Sequence, residues 1–389
     1  MRSSWTCAAA GVALALAVAP AMAGGAQAEI KVGFGTALSG SGASIGIPYA
    51  KGMAAAYAFA SAVGDAKIRI IQLDDGSDPS TAARNAAKLI EEDNVDLLIG
   101  TSSVPSTAAM AAVAVAKKVP MIAISPVAPM ASGDGGPWVI SVPQPAPLMA
   151  AAVVDRMKAT GVKTVAYIGY SDSWGDLVYD GLTKAAEPAG IRIVANERYA
   201  RADSSVTAQA LKIMATRPDV VMTGGSGTPG ALPFIALKER GYGGPIYGMH
   251  SLINPDFIRV GGASVEGVIC PTGPVVVAEQ LPESNPVRAV AMQFRDAYQN
   301  ANGTPAGDAF SAYSFDGWLI FLDAAKRALP TATPGTAEFR AALRAAIMST
   351  KEVVGSHAVY SFAPASLYGV DERSRVLVRL VKGAWQLVP

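Results

Sequence analysis

From residue 30 onward the chain alternates short apolar runs with longer Ala-rich stretches, and it goes through this rhythm twice. Runs at 30–35, 67–73, 95–99 and 119–124 read as strands, with helices at 48–63, 79–92 and 105–117. The strand runs are mostly apolar, the pattern of a parallel sheet covered by helices on both faces. Pro129, Pro137, Pro143, Pro145 and Pro147 then crowd together. That density predicts a crossing segment rather than a helix or central strand. The rhythm restarts with strands at 163–169, 191–198, 219–223, 245–249 and 267–270, separated by helices at 174–186, 205–216, 231–240 and 256–260. A second Pro/Gly stretch at 271–286 leads to helical segments at 286–300, 309–328 and 336–348. The tail at 358–362 and 375–387 is β-like. The expected architecture is α/β, with two lobes sharing a hinge.

The start of the chain has a different character. Arg2 precedes an apolar run from Cys7 to Ala19, Pro20 breaks it, and Ala26-Gln27-Ala28 offers small residues before Glu29. A charged start, a short apolar core and a small-residue exit predict a secretory signal peptide over residues 1–28. No later run approaches the ~18 apolar residues of a membrane span. Without Arg2, the 32 Lys and Arg become 31, equal to the 31 Asp and Glu. A neutral chain with no long cationic run is not built for nucleic acid. At 51% apolar and 16% charged it is not a disordered chain either. Two Cys and two His in all are too few for a Cys/His zinc site.

In open parallel sheets, ligands bind beyond the carboxyl ends of the strands. There the chain carries Ser39 and Ile45 in a Gly/Ser loop, Ser103 and Val104 before the 105–117 helix, and Ser125 and Val127 after the 119–124 strand. Hydroxyls and free N–H groups at a helix start attract anions, and they also serve as ordinary caps. Gly225-Ser226-Gly227-Thr228-Pro229-Gly230 has a GxGxxG spacing, but the next strand ends in His250-Ser251 where a dinucleotide site needs an acid. No cofactor is expected. HExxH and paired nucleophile–base motifs are absent, so enzyme chemistry has no candidate. Asp74, Asp75 and Asp78 lack the EF-hand spacing and read as turn and cap residues. His250 is the ionisable group of interest, and Trp174 is an aromatic wall or a core residue. His357, in the tail, reads as a surface or packing residue.

Several of these segments resemble the leucine/isoleucine/valine-type, type I periplasmic binding proteins of ABC importers. They are residues 30–46, Asp74-Asp75-Gly76-Ser77-Asp78-Pro79, Ile124-Ser125-Pro126, 170–181 and 224–237. The resemblance runs through essentially the whole chain after the leader. It implies two Rossmann-like lobes joined by three hinge crossings, here 29–142 plus 273–350 and 143–272 plus 351–389. It also implies a ligand held in the cleft, ABC permease partners, a periplasmic location and a monomer. Ser77 and Ser103 stand where the family has a small disulfide. His250 stands where amino-acid binders place a Glu for the ammonium, and Pro129 where they place a Thr for the carboxylate.

A buried ammonium without an anionic partner is costly. His250 can instead donate to a carboxylate or phenol oxygen, with charge assistance when protonated. The expected ligand is therefore a small organic acid without an α-amino group, between Ile45, Ser103, Val104, Ser125 and Val127 on one side and Trp174, Ser226, Gly227 and His250 on the other; that 224–237 and 248–262 resemble family members associated with aromatic-acid uptake implies an aromatic carboxylate. The alternatives are a branched-chain or other amino acid, or a sensor ectodomain on the same fold.

Overall fold

The computed structural model describes residue 1 and residues 29–127, 137–363 and 366–388. The leader with Cys7, and Pro129, lie outside the described residues. The first sheet has six strands: β1 (Glu29–Thr36), β2 (Ala62–Val63), β3 (Ala66–Asp74), β4 (Leu97–Gly100), β5 (Met121–Ala123) and β6 (Val139–Ser141), in the order β2-β3-β1-β4-β5-β6. Apart from the antiparallel β2, all its pairings are parallel. Alternate residues of β4 face opposite ways, as the two-residue period of a strand requires. Leu97 and Ile99 join one core and Leu98 the other. Helices α1 (Ala43–Phe59), α9 (Arg288–Asn302), α10 (Phe310–Ala328) and α11 (Ala337–Met348) cover the first face; α2 (Pro79–Glu91) and α3 (Val104–Lys117) cover the second.

The second sheet has β7 (Thr164–Tyr170), β8 (Arg192–Tyr199), β9 (Val220–Gly224), β10 (Ile246–Tyr247) and β11 (Ile269–Thr272), interleaved with α4 (Ala146–Ala159), α5 (Ser173–Ala189), α6 (Thr207–Ala215), α7 (Leu232–Glu239) and α8 (Pro255–Gly261). After a small hairpin, β12 (Val353–Val354) with β13 (Val359–Tyr360), the tail adds β14 (Val376–Val381) and β15 (Ala384–Leu387) antiparallel to the second sheet, in the order β15-β14-β11-β10-β9-β7-β8. This is the two-lobed type I arrangement. The chain passes between the lobes after β6, after β11 and after β13.

Some local expectations are corrected. The first helix starts at Ala43 rather than Pro48, which lies inside it, and Val63 belongs to a strand. Pro48, the sixth residue of α1, gives up the backbone bond its N–H would have made, and the helix continues through it. The proline-dense crossing encloses β6, because the prolines flank that edge strand without entering it. The cap reading of Asp78 holds at α2, where its carboxylate accepts from Thr81 N at 2.7 Å. Residues from 351 on were expected in the second lobe, yet Ala358, Tyr360 and Phe362 pack into the first lobe's core. Short apolar segments carry no information about which sheet they will join.

The lobes are in contact. Thr228 N donates to Ser44 Oγ at 3.1 Å and Ala309 N to Ile253 O at 3.1 Å, while Val104 of the first lobe packs into the second lobe's apolar cluster.

Candidate functional site

Between the lobes lies a cavity enclosing about 370 Å³ of empty space, part of it open to solvent. Only about 30 Å³ of it admits the centre of a water-sized sphere, so the lobes stand nearly closed over it. Its walls come from the segments that follow β4, β5, β7, β8, β9 and β10, closed by α1 and the start of α10. This is the carboxyl-end placement that parallel sheets favour.

Of the residues expected from the sequence, Ile45, Ser103, Val104, Ser125, Trp174, Ser226 and His250 line this cavity. Ser39, Val127 and Gly227 do not. Ser39 is exposed and its hydroxyl donates to Asp74 Oδ2 at 2.8 Å, which holds it on the solvent side. Val127 packs in the core beneath α2 and α3. Gly227 sits where the lobes touch: its φ is 57°, and a Cβ there would meet Ser44 Oγ at 2.7 Å. Only glycine adopts that backbone readily, so the position serves closure of the lobes.

The first-lobe wall is polar in composition but largely self-satisfied. Ser102 Oγ accepts from Ala37 N at 2.9 Å and bonds Thr36 Oγ1 at 3.0 Å. Ser103 caps α3, accepting from Ser106 N at 3.3 Å, so capping, one of the two roles open to it, is realised. The α3 N-terminus therefore faces the cavity through Ser103 and Val104. Tyr49 donates its hydroxyl to Ile124 O, and Tyr313 donates to Gln144 Oε1 at 2.6 Å. Ile45, Phe310 and the two tyrosine rings supply the apolar surface. The Asp trio nearby acts in turns and caps: Asp74 accepts from Leu38 N and Gly76 N, both at 2.8 Å, and Asp75 from Ser77 N at 2.9 Å. Ser77 Oγ accepts from Gly42 N and donates to Ser39 O, both at 2.8 Å, tying the two loops together.

The second-lobe wall is built around a residue not singled out from the sequence, Arg201. Its Nε donates to Asp172 Oδ2 at 2.5 Å and its Nη1 to Ser226 Oγ at 2.9 Å, while the guanidinium lies 4.2 Å from the centre of the Tyr170 ring. Its Nη2 has no partner among the described residues. Asp172 also caps α5, accepting from Trp174 N at 2.9 Å and Gly175 N at 3.2 Å. One carboxylate thus orients both Trp174 and Arg201. The signal was available: Arg201 lies two residues beyond β8, in the kind of loop the strand-end rule says to inspect.

His250 is almost fully buried, and its Nδ1 has no hydrogen-bond partner. Burial alone pushes its pKa down from 6.5 to about 4, so the ring is neutral at pH 7. Arg201 is the cationic side chain on this wall. The ring meets Trp174 edge-on, centroids 5.6 Å apart at 88°, and Trp174 Nε1 donates to Gly225 O at 3.3 Å. Among the described residues, no Asp or Glu lines the cavity. His357 is a buried packing residue stacked on Tyr313, not a surface one.

A family profile described as periplasmic binding protein matches residues 29–361. An extracellular ligand-binding receptor from Rhodopseudomonas palustris HaA2 is 40% identical, with a TM-score of 0.89 over 93% of this chain and 100% of that one. A leucine-binding protein from Thermotoga maritima shares the fold at 21% identity, TM-score 0.78, over 92% of this chain and 98% of that one. So does an ABC transporter solute-binding protein from R. palustris solved with benzoate, at 21% identity, TM-score 0.74, over 92% and 95%. A search of curated proteins finds no match.

Proposed function

The chain belongs to the periplasmic binding protein family, whose members here are binding proteins and receptors rather than enzymes, and from that premise we propose that it captures a small organic acid, an aromatic carboxylate, for an ABC importer. It works in the periplasm as a monomer, closing its lobes on the ligand and presenting it to the permease subunits of the inner membrane.

The observation that carries this reading is the Nη2 of Arg201, without a partner among the described residues, in a cavity that no carboxylate of the described residues lines. An amino acid brings an ammonium as well as a carboxylate, and a desolvated ammonium facing an arginine and a neutral histidine finds no anion to offset its burial. A carboxylate has the opposite experience. The guanidinium offers it a charge-assisted bond, and the start of α3 adds positive potential on the other wall. The remaining surface, from Ile45, Tyr49, Trp174, Phe310 and Tyr313, suits a flat apolar body. Neutral His250 can give or accept one uncharged hydrogen bond to a further polar substituent.

Calorimetry against benzoate, 4-hydroxybenzoate, leucine, isoleucine and valine tests the proposal. Binding of at least one aromatic acid, with no heat from the three amino acids, is the expected outcome. Tight leucine binding with silent aromatic acids overturns it and turns the reading toward an amino acid receptor.

A further inference from the structure

The three passages between the lobes include residues 142–145, 273–278 and 366–375, and groups from all of them, the Gln144 side chain, the Gly273 backbone and the Ser374 carbonyl, converge behind one wall of the cavity. The wall residue is Tyr313. Its hydroxyl holds Gln144 of the first passage at 2.6 Å, and Gln144 Nε2 in turn donates to Ser374 O of the third at 2.7 Å. The other face of the arrangement is His357, whose ring stacks on Tyr313 with centroids 4.0 Å apart and planes 16° from parallel. His357 Nε2 bonds Ala309 O at 2.8 Å, and Ala309 N donates across the lobes to Ile253 O at 3.1 Å.

The second passage meets the same imidazole. Gly273 has φ −71° and ψ 149°, a backbone any residue adopts, so conformation does not demand glycine there. Space does: a Cβ on Gly273 would overlap His357 Nδ1. That Nδ1 is buried with no hydrogen-bond partner, an unusual condition that calls for a structural reason. The imidazole is also held from behind. The Asp316 carboxylate accepts from Ser356 N at 2.6 Å, Ser356 Oγ at 2.7 Å, His357 N at 2.9 Å and Tyr360 OH at 2.9 Å, fixing the turn that carries His357 to α10.

We propose that His357 is a positioning residue that registers all three interlobe passages against the cavity wall, acting through Tyr313 and through its contact with Gly273. The stacked ring fixes where Tyr313 stands in the cavity; Tyr313 fixes Gln144 and thereby the first and third passages; and the bare Gly273 lets the second passage close down on the same ring. Interiors so tightly packed do not deform continuously, so displacing the ring shifts the three passages together. The inference stands on this contact geometry and is independent of which ligand the cavity takes.

Hydrogen exchange of the unliganded full-length mature chain tests it, read in the three passages for the wild type, Gly273→Ala, His357→Ala, the Gly273→Ala/His357→Ala double variant and Tyr313→Phe. Gly273→Ala is expected to speed exchange by about tenfold or more in all three passages, and removing the imidazole in the double variant to return exchange to that of His357→Ala alone. Tyr313→Phe keeps the ring and its stacking but loses the bond to Gln144; it is expected to loosen the first and third passages and leave the second unchanged. Should Gly273→Ala fail to fold, Tyr313→Phe and His357→Ala carry the test. Faster exchange confined to the mutated passage, or a double variant whose effects simply add, overturns the proposal.

Discussion

On the first-lobe side of the cavity, Ser102, Ser103, Tyr49 and Tyr313 give their hydroxyls to neighbouring protein atoms, so a ligand meets mostly shape and apolar surface. On the second-lobe side, Arg201 Nη2 and His250 Nδ1 line the cavity without a hydrogen-bond partner among the described residues. Both walls grow from strand ends of similar parallel sheets, yet one lobe carries the charge and the other the mould. Such a division suits a receptor that closes. In the reading proposed above, the charged wall distinguishes an acid from an amino acid before closure, and the apolar wall adds area-dependent burial only when the lobes meet. Preorganised bonds within the first lobe also mean that its surface need not rearrange to receive the ligand.

The contrast breaks most visibly at Arg201. Arg201→Met keeps much of the side chain's volume and removes the charge, and it is expected to weaken benzoate binding by roughly 2–5 kcal/mol, measured by calorimetry. An unchanged Kd would move charge recognition away from the second lobe.

The next effect is a pH dependence carried by the second-lobe wall. The pKa of His250 is about 4 in the folded chain against 6.5 in the unfolded one, so the neutral buried ring stabilises the fold above pH 6.5. That contribution is lost as the pH falls through 6.5 toward 4. Denaturant unfolding at pH 7, 6, 5 and 4.5 should show the wild type losing up to ~1.4 kcal/mol per pH unit relative to His250→Gln over this window. Taking the difference between the two proteins removes the opposite contribution of Asp316, which burial raises to about 6 in both. Parallel profiles would mean that the imidazole is not buried neutral.

The smallest effect should come from the first-lobe wall. Ser103→Ala removes the cap of α3 and is expected to lower stability by about 1 kcal/mol, with a change in ligand Kd below about threefold because the hydroxyl is already engaged within the lobe. A larger loss of affinity than of stability, seen by calorimetry beside thermal unfolding, would erase the distinction between the two walls.

Much of this was legible before any coordinates. Wholly apolar runs such as those of β4 and β9 signal strands buried on both faces. The loops after such strands then contain Ser103, Val104, Ser125, Trp174, Ser226 and His250, because a parallel sheet presents its carboxyl ends together. Ser39 also follows a strand, but its hydroxyl is claimed by Asp74, a pairing across 35 residues that no local pattern announces. Tyr49, Phe310 and Tyr313 looked like ordinary helix-face residues, and their place in the cavity depends on how the lobes come together.

What the residue order determined by itself is the alternation of buried strands and amphipathic helices, and with it the two-lobed architecture and the set of loops that can face the cleft. Those follow from period, turn chemistry and burial, which act over neighbouring residues. The tertiary structure alone decided that Arg201 supplies the charge, that His250 is stripped of its proton, and that Tyr313, His357 and Gly273 meet behind the cavity. Each of these depends on desolvation and on contacts between segments far apart in the chain, and such quantities exist only once the chain has closed on itself.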